Sequence, residues 1–144
     1  MSRENAVRFG PTPGDGSRFA SAWSDLAGIG RDQLRGGFSR HVFDDAEMQL
    51  RAWFVEQAQR RGLEVENDRN GNVWAWWGAP APGAVVTGSH LDSVPGGGAF
   101  DGPLGVVSGL LAVDELRLRG GFSRHVFDDA EMQLRAWFVE QAQR

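Results

Sequence analysis

Hydrophobic positions along this chain follow two periods, and the switches between them outline its elements. Phe19, Trp23 and Leu26 share one helical stripe behind Ser17, a residue suited to capping, which predicts a short helix from Ser17 to about Leu26. Leu50, Trp53, Phe54 and Ala58 form a second stripe, with Arg51, Glu56, Gln59 and Arg60 on the polar side. Asp44 followed three residues later by Glu47 is a capping-box pattern, and acidic residues suit the positive end of a helix. This second helix therefore starts at Asp44 or Asp45 and ends at Gly62, a C-terminal cap. Ahead of it, "GIGRDQLRGGFSR" reads as a loop.

Beyond Gly62 the period shortens. "LEVEND" alternates as a short strand, and "NVWAWWG" is a second strand entered through the Asn70-Gly71 turn. "GAVVTGSH" is a short apolar run, predicted to be a buried strand. A glycine-rich loop follows, and Pro103 takes the first position of a third helix reaching about Leu116. "PLGVVSGLLAVDEL" is apolar nearly all round, so that helix is expected to be buried. The order predicts an α/β fold, a mixed sheet covered by helices.

One pattern does not fit a single pass through such a fold. "LRGGFSRHVFDDAEMQLRAWFVEQAQR" occurs at residues 34–60 and again, letter for letter, at 118–144. Repeats in solenoids drift apart because each copy meets a different environment, so identity argues against a repeat architecture and for a duplication by recombination, by design or by a mis-joined sequence. The first copy leads directly into strands that need a helix to cover them, and it is read as the native one. The second is expected to repeat the same amphipathic helix, since its local sequence and caps are the same, with Trp137 less buried than Trp53. Three regions result: a loose lead-in at 1–16, a folded region at 17–117, and the duplicate at 118–144, read as packed outside the native arrangement.

Composition narrows the class of protein. Apolar residues make up 41% and charged residues 24%, which is ordinary for a globular domain. A net charge of −4 offers no basic surface for nucleic acid or acidic lipid. There is no cysteine, which excludes disulfides and thiolate metal sites. The N-terminus lacks a signal-peptide core, and no apolar run approaches the roughly 20 residues of a membrane span. A soluble, cytoplasmic protein is expected, with neither nucleic acid nor membrane as partner.

The candidate chemistry lies in "TGSHLDSVPGGGAFDGPLGV". His90 follows the third strand, Asp92 comes two residues later, and Asp101 closes the glycine loop before a helix. Loops at strand C-termini are where sites form in open α/β sheets. Imidazole nitrogen and carboxylate oxygen are ordinary ligands for zinc and related divalent ions. A ligand imidazole needs a partner on its other nitrogen, and Asp92 is near enough in sequence to reach either His90 or a neighbouring backbone group. Glycines 96, 97, 98 and 102 let the chain turn back so that Asp101 approaches His90. The competing reading is a surface turn in which these side chains cap backbone groups. A phosphate loop is a poorer reading, because no Gly-Lys-Ser/Thr follows and no G-x-G-x-x-G can be laid over "GGGAFDG".

"GSHLDSVPGGGAFDGPLGVVSGL" resembles the first metal-binding motif of dinuclear-metal amidohydrolases in the aminoacylase and carboxypeptidase-type metallopeptidase clan. Within that clan it is similar to the branch acting on ureido compounds, the allantoate amidohydrolases and N-carbamoyl-L-amino-acid hydrolases. Upstream, "GGFSRHVFDDAEMQLRAWFVEQAQRRGLEVENDRNGNVWAWWG" resembles the helix, strand and "D-x-x-G-N" strand entry of the same branch. The resemblance spans roughly Trp23 to Arg117, and the tryptophan-rich strand leans toward allantoate as substrate.

The resemblance implies that residues 17–117 are the N-terminal part of a catalytic domain using two divalent ions, zinc, manganese or cobalt. It implies His90 as a terminal ligand, Asp101 as the carboxylate bridging both ions, and Asp92 as a residue orienting His90 from behind. It also implies a Glu-Glu pair some way after Asp101, with a strand leading into it from the third helix. Neither is legible here, and the duplicate stands in their place. His41 and its copy His125 are not read as ligands. A small ureido substrate, a homodimer formed through a further domain, weak metal binding and no turnover by this chain itself are the corresponding expectations. Two alternatives stand beside them: a non-catalytic duplicated fragment that self-associates by helix swapping, and a fragment of a peptidase or deacylase of the same clan.

Overall fold

In the computed structural model, residues 15–118 and the backbone of 134–138 are described. The elements run α1 (Asp15–Leu26), β1 (Phe38–Arg40), α2 (Asp45–Arg60), β2 (Glu64–Asn67), β3 (Val73–Trp76), β4 (Val85–Ser89), β5 (Ser93–Gly97), α3 (Pro103–Leu118) and β6 (Leu134–Phe138). All three predicted helices and all three predicted strands are present. The predicted lead-in lies almost wholly outside the described residues.

Helix α2 shows how local chemistry sets boundaries. The Asp44 carboxylate accepts the Glu47 amide at 2.8 Å, and the Glu47 carboxylate reaches back to the Phe43 amide at 3.0 Å. The capping box is thus shifted by one residue from its usual target. At the other end Leu63 N–H bonds to Ala58 O (3.0 Å) and Gly62 N–H to Gln59 O (2.8 Å), with Gly62 at φ +61°. This is a Schellman ending, which needs the left-handed conformation that glycine adopts freely. Leu50 and Phe54 on the apolar stripe are fully buried, each side chain stabilising the fold by roughly 1.5–3 kcal/mol. They join Val73 and Ala75 of β3 and Val106, Val107, Leu110 and Val113 of α3 in one core.

The larger sheet has the order β2-β3-β6-β4 and is mixed. β2 and β3 form an antiparallel hairpin. β6 runs antiparallel to β3 and parallel to β4, with Ala136 opposite Ala75 on one side and Thr87 on the other. Here the structure corrects the sequence reading. Leu134–Phe138 repeats Leu50–Phe54 of α2, yet it is a strand in the middle of the sheet and not an amphipathic helix. A strand therefore does follow α3. The physical reason is that the facing edges of β3 and β4 leave backbone donors and acceptors to be paired, and tertiary demand of this kind overrides helix propensity. Swapping through a spare helix has no helix at these five residues to act through. The rest of the second copy, and the comparison of Trp137 with Trp53, lie outside the described residues.

Two further corrections concern β4 and the segment before α2. β4 is a strand as predicted, but Val85 and Val86 are 38% and 43% exposed. Helix α3 packs on Thr87 and Ser89 and leaves the start of the strand uncovered. The segment read as a loop contains β1, which pairs antiparallel with β5 in a two-stranded sheet. Phe38 and Arg40 are buried there, and the Arg40 guanidinium donates to the carbonyls of Ile29 (3.0 Å) and Leu26 (3.4 Å) at the end of α1. A cation at a helix C-terminus is favourable, although burial lowers the pKa of this guanidinium.

Candidate metal-binding site

His90 follows the last residue of β4, where the strand delivers it to the sheet's C-terminal edge. Its ring is gripped from both sides. Nδ1 lies 3.0 Å from the backbone oxygen of Asp92 and 3.1 Å from Asp92 Oδ1. Nε2 lies 3.4 Å from Asp101 Oδ1. The three residues singled out from sequence are therefore brought together, and Asp92 reaches His90 rather than only a backbone group. His41 is elsewhere, 3.6 Å from the cap carboxylate of Asp44.

The proton count at this ring decides what it can do. Both acceptors at Nδ1 are oxygens, so Nδ1 carries the proton. In the neutral ring, Nε2 then presents a lone pair toward the Asp101 carboxylate. Two electron-rich atoms at this separation leave room for a water, a proton or a cation between them. A charge-assisted N–H···O bond is about 2.7–2.9 Å long, shorter than the separation here. Two ligands each about 2.0–2.1 Å from a tetrahedral zinc ion stand roughly 3.3–3.4 Å apart. The donor set therefore fits a divalent ion held by His90 Nε2 and Asp101, with Asp92 behind the ring. It fits as a partial set: among the described residues no group of three or more His, Cys, Asp or Glu side chains could hold a metal.

Close packing makes this approach possible. Gly102, at φ +85°, lies against His90, and an added Cβ would come within 2.4 Å of the His90 oxygen and 2.9 Å of ring Nδ1. No other residue type could follow Asp101 without displacing the ring. One turn along α3, a Cβ at Gly105 would meet Ser89 Cβ at 2.7 Å, so the helix lies directly on the end of β4. Gly102 is legible from sequence as a turn residue, whereas the role of Gly105 is not predicted. The signal available for it lies in the small residues at 105 and 109, four apart and so on one face of α3. β5, which carries the chain from Asp92 toward the glycine loop, has no counterpart among the predicted strands. Asp101 is the most open of the three, its side chain 58% exposed against 31% for His90 and 28% for Asp92.

No protein-family model matches the chain. It is 35% identical over 112 residues to the N-carbamoyl-L-amino acid amidohydrolase of Geobacillus stearothermophilus, covering 76% of this chain and 27% of that protein. It is 33% identical over 98 residues to the allantoate amidohydrolase of Escherichia coli, covering 67% of this chain and 24% of the relative. The fold is similar to that of a hydantoinase/carbamoylase family amidase from Burkholderia ambifaria, with a TM-score of 0.71 and 35% identity over 86% of this chain and 29% of that one. The chain thus spans about a quarter of the length of these relatives.

Proposed function

We propose that this chain, a partial-length member of the hydantoinase/carbamoylase amidohydrolase family, carries part of the metal site of an enzyme that hydrolyses a carbamoyl or ureido C–N bond. The observation that carries this reading is the imidazole of His90, with Nδ1 committed to Asp92 and Nε2 turned toward Asp101. His90 and Asp101 are the residues that would hold a divalent ion in this reading. Asp92 is a positioning residue: by accepting a hydrogen bond from Nδ1–H it fixes the tautomer and leaves the Nε2 lone pair for a ligand bond. Zinc, manganese or cobalt bound in such a site would polarise a carbonyl oxygen and acidify a water. Allantoate is the first proposed substrate and an N-carbamoyl amino acid the second, on the tryptophan-rich strand and the names of the relatives. Because the described residues offer two donors, metal binding by these 144 residues is proposed to be weak, and turnover is assigned to the full-length protein.

Titration of the purified chain with Co²⁺, followed by calorimetry and visible absorption, tests the site. His90→Ala is expected to abolish the response, and Asp92→Asn to weaken it by about 10- to 100-fold. Binding that survives His90→Ala unchanged would place the metal elsewhere and overturn the assignment. Ammonia release by the full-length protein from allantoate and from N-carbamoyl amino acids separates the two substrates.

A further inference from the structure

Asp101 is the most exposed member of the candidate site, and it sits in a loop rich in glycine. Such a residue should move freely, yet its neighbour Phe100 is tied down. The Phe100 ring, although on a residue 62% exposed, stacks on Trp23 of α1, with centroids 5.1 Å apart and planes 22° from parallel. Trp23 in turn stacks on Phe19, one turn earlier, at 5.5 Å and 12°. An exposed ring gains little from simple removal from water, so the contact is a directional one, of the offset kind that aromatic pairs favour.

Helix α1 is a firm support for this stack. Leu26 is in the core, Trp53 of α2 donates its indole N–H to Asp25 at 3.2 Å, and Arg18 pairs with Glu115 of α3 at 3.4 Å. Beyond the ring, the Phe100 carbonyl accepts the Leu104 amide at 3.3 Å, and the Gly102 carbonyl accepts the Gly105 amide at 3.0 Å. Asp101 is therefore clamped between two fixed points. On one side is the Phe100 ring on α1, and on the other is Gly102, pressed against His90. We infer that Trp23, far from the site in sequence, is a positioning residue that holds Asp101 in place through Phe100. The inference rests on the reading of Asp101 as a metal donor. The anchored loop itself is a separate and separately measurable property.

The experiment compares the 144-residue chain with Trp23→Ala, Trp23→Phe and Phe100→Ala, using amide hydrogen exchange and Co²⁺ titration. Trp23→Ala is expected to speed exchange at Leu104 and Gly105 selectively and to weaken Co²⁺ binding by roughly tenfold, the scale of support residues behind metal ligands. Trp23→Phe keeps a ring for the stack and should restore both. Phe100→Ala removes a ring that is mostly in solvent, leaves α1 intact, and should reproduce the effect even if Trp23→Ala unfolds the helix. Unchanged exchange at these two amides in both alanine variants overturns the inference. So does acceleration spread evenly over core amides such as Leu50 and Val107, which marks a merely structural residue. If the parent chain gives no Co²⁺ response while exchange still changes selectively, the metal reading fails and the anchoring of the loop stands.

Discussion

The two copies of "LRAWF" are the same five residues in two conformations. In α2, Leu50–Phe54 is helical, with Leu50 and Phe54 fully buried against the sheet. In β6, Leu134–Phe138 is extended, with Leu134 opposite Val85 and Phe138 opposite Ser89. Neither conformation is surprising for the sequence, since Leu and Ala favour helix while Trp and Phe fit a pleated surface. What differs is the surroundings. Copy one is bracketed by the Asp44 cap and the Gly62 ending and has a sheet to cover. Copy two arrives after α3, where β3 and β4 present facing edges. Five residues hold too little intrinsic preference to resist two unpaired strand edges, so the ladder decides.

The largest test of this contrast is removal of copy two. A chain ending at Arg117 should lose its cooperative thermal transition and associate through the bared edges of β3 and β4, as seen by circular dichroism and light scattering. A monomer melting at the parent temperature would show that β6 contributes nothing to the sheet. A middle-sized effect belongs to the cap of copy one. Asp44→Ala should cost about 0.5–2 kcal/mol in urea unfolding. Burial raises the Asp44 pKa, but amide donors from Glu47, His41 and Ala46 and the nearby His41 charge outweigh it, and the net shift is downward. A depressed folded-state pKa means that the stabilisation is present above the ordinary aspartate range and disappears as pH falls through and below it. The difference between parent and variant should therefore shrink in acid, and a gap that persists at low pH would assign the loss to something other than the carboxylate. The smallest effect is the most diagnostic. Ala52 is exposed in α2, and Ala52→Val should destabilise by about 0.5 kcal/mol. Ala136→Val, the same change in the central strand, should be neutral or stabilising within about 1 kcal/mol. Equal losses at both positions would mean that copy two is helical in solution.

The elements legible from sequence were those whose signals are local. Asp44, Glu47 and Gly62 carry the ends of α2 in their own side chains and backbone freedom. The alternation around the Asn70-Gly71 turn likewise specified the β2–β3 hairpin. β1 and β5 were not legible, because a three-residue strand and one containing Pro95 and two glycines have no local strand signal. They exist through pairing across more than fifty residues. At the site, spacing brought His90, Asp92 and Asp101 forward as candidates. It could not say that Nδ1 is spent on Asp92, nor that Gly105 seats the helix on Ser89.

By itself, then, the sequence determined the three helices, the hairpin and the choice of His90, Asp92 and Asp101 as candidates. Each depends on caps, periodicity or donor chemistry held within a few residues. Only the tertiary structure decided the conformation of the second "LRAWF", the pairing of β1 with β5, and the direction in which each nitrogen of His90 points. Those outcomes depend on which backbone edges and carboxylates lie across space, and no short stretch of chain contains that information.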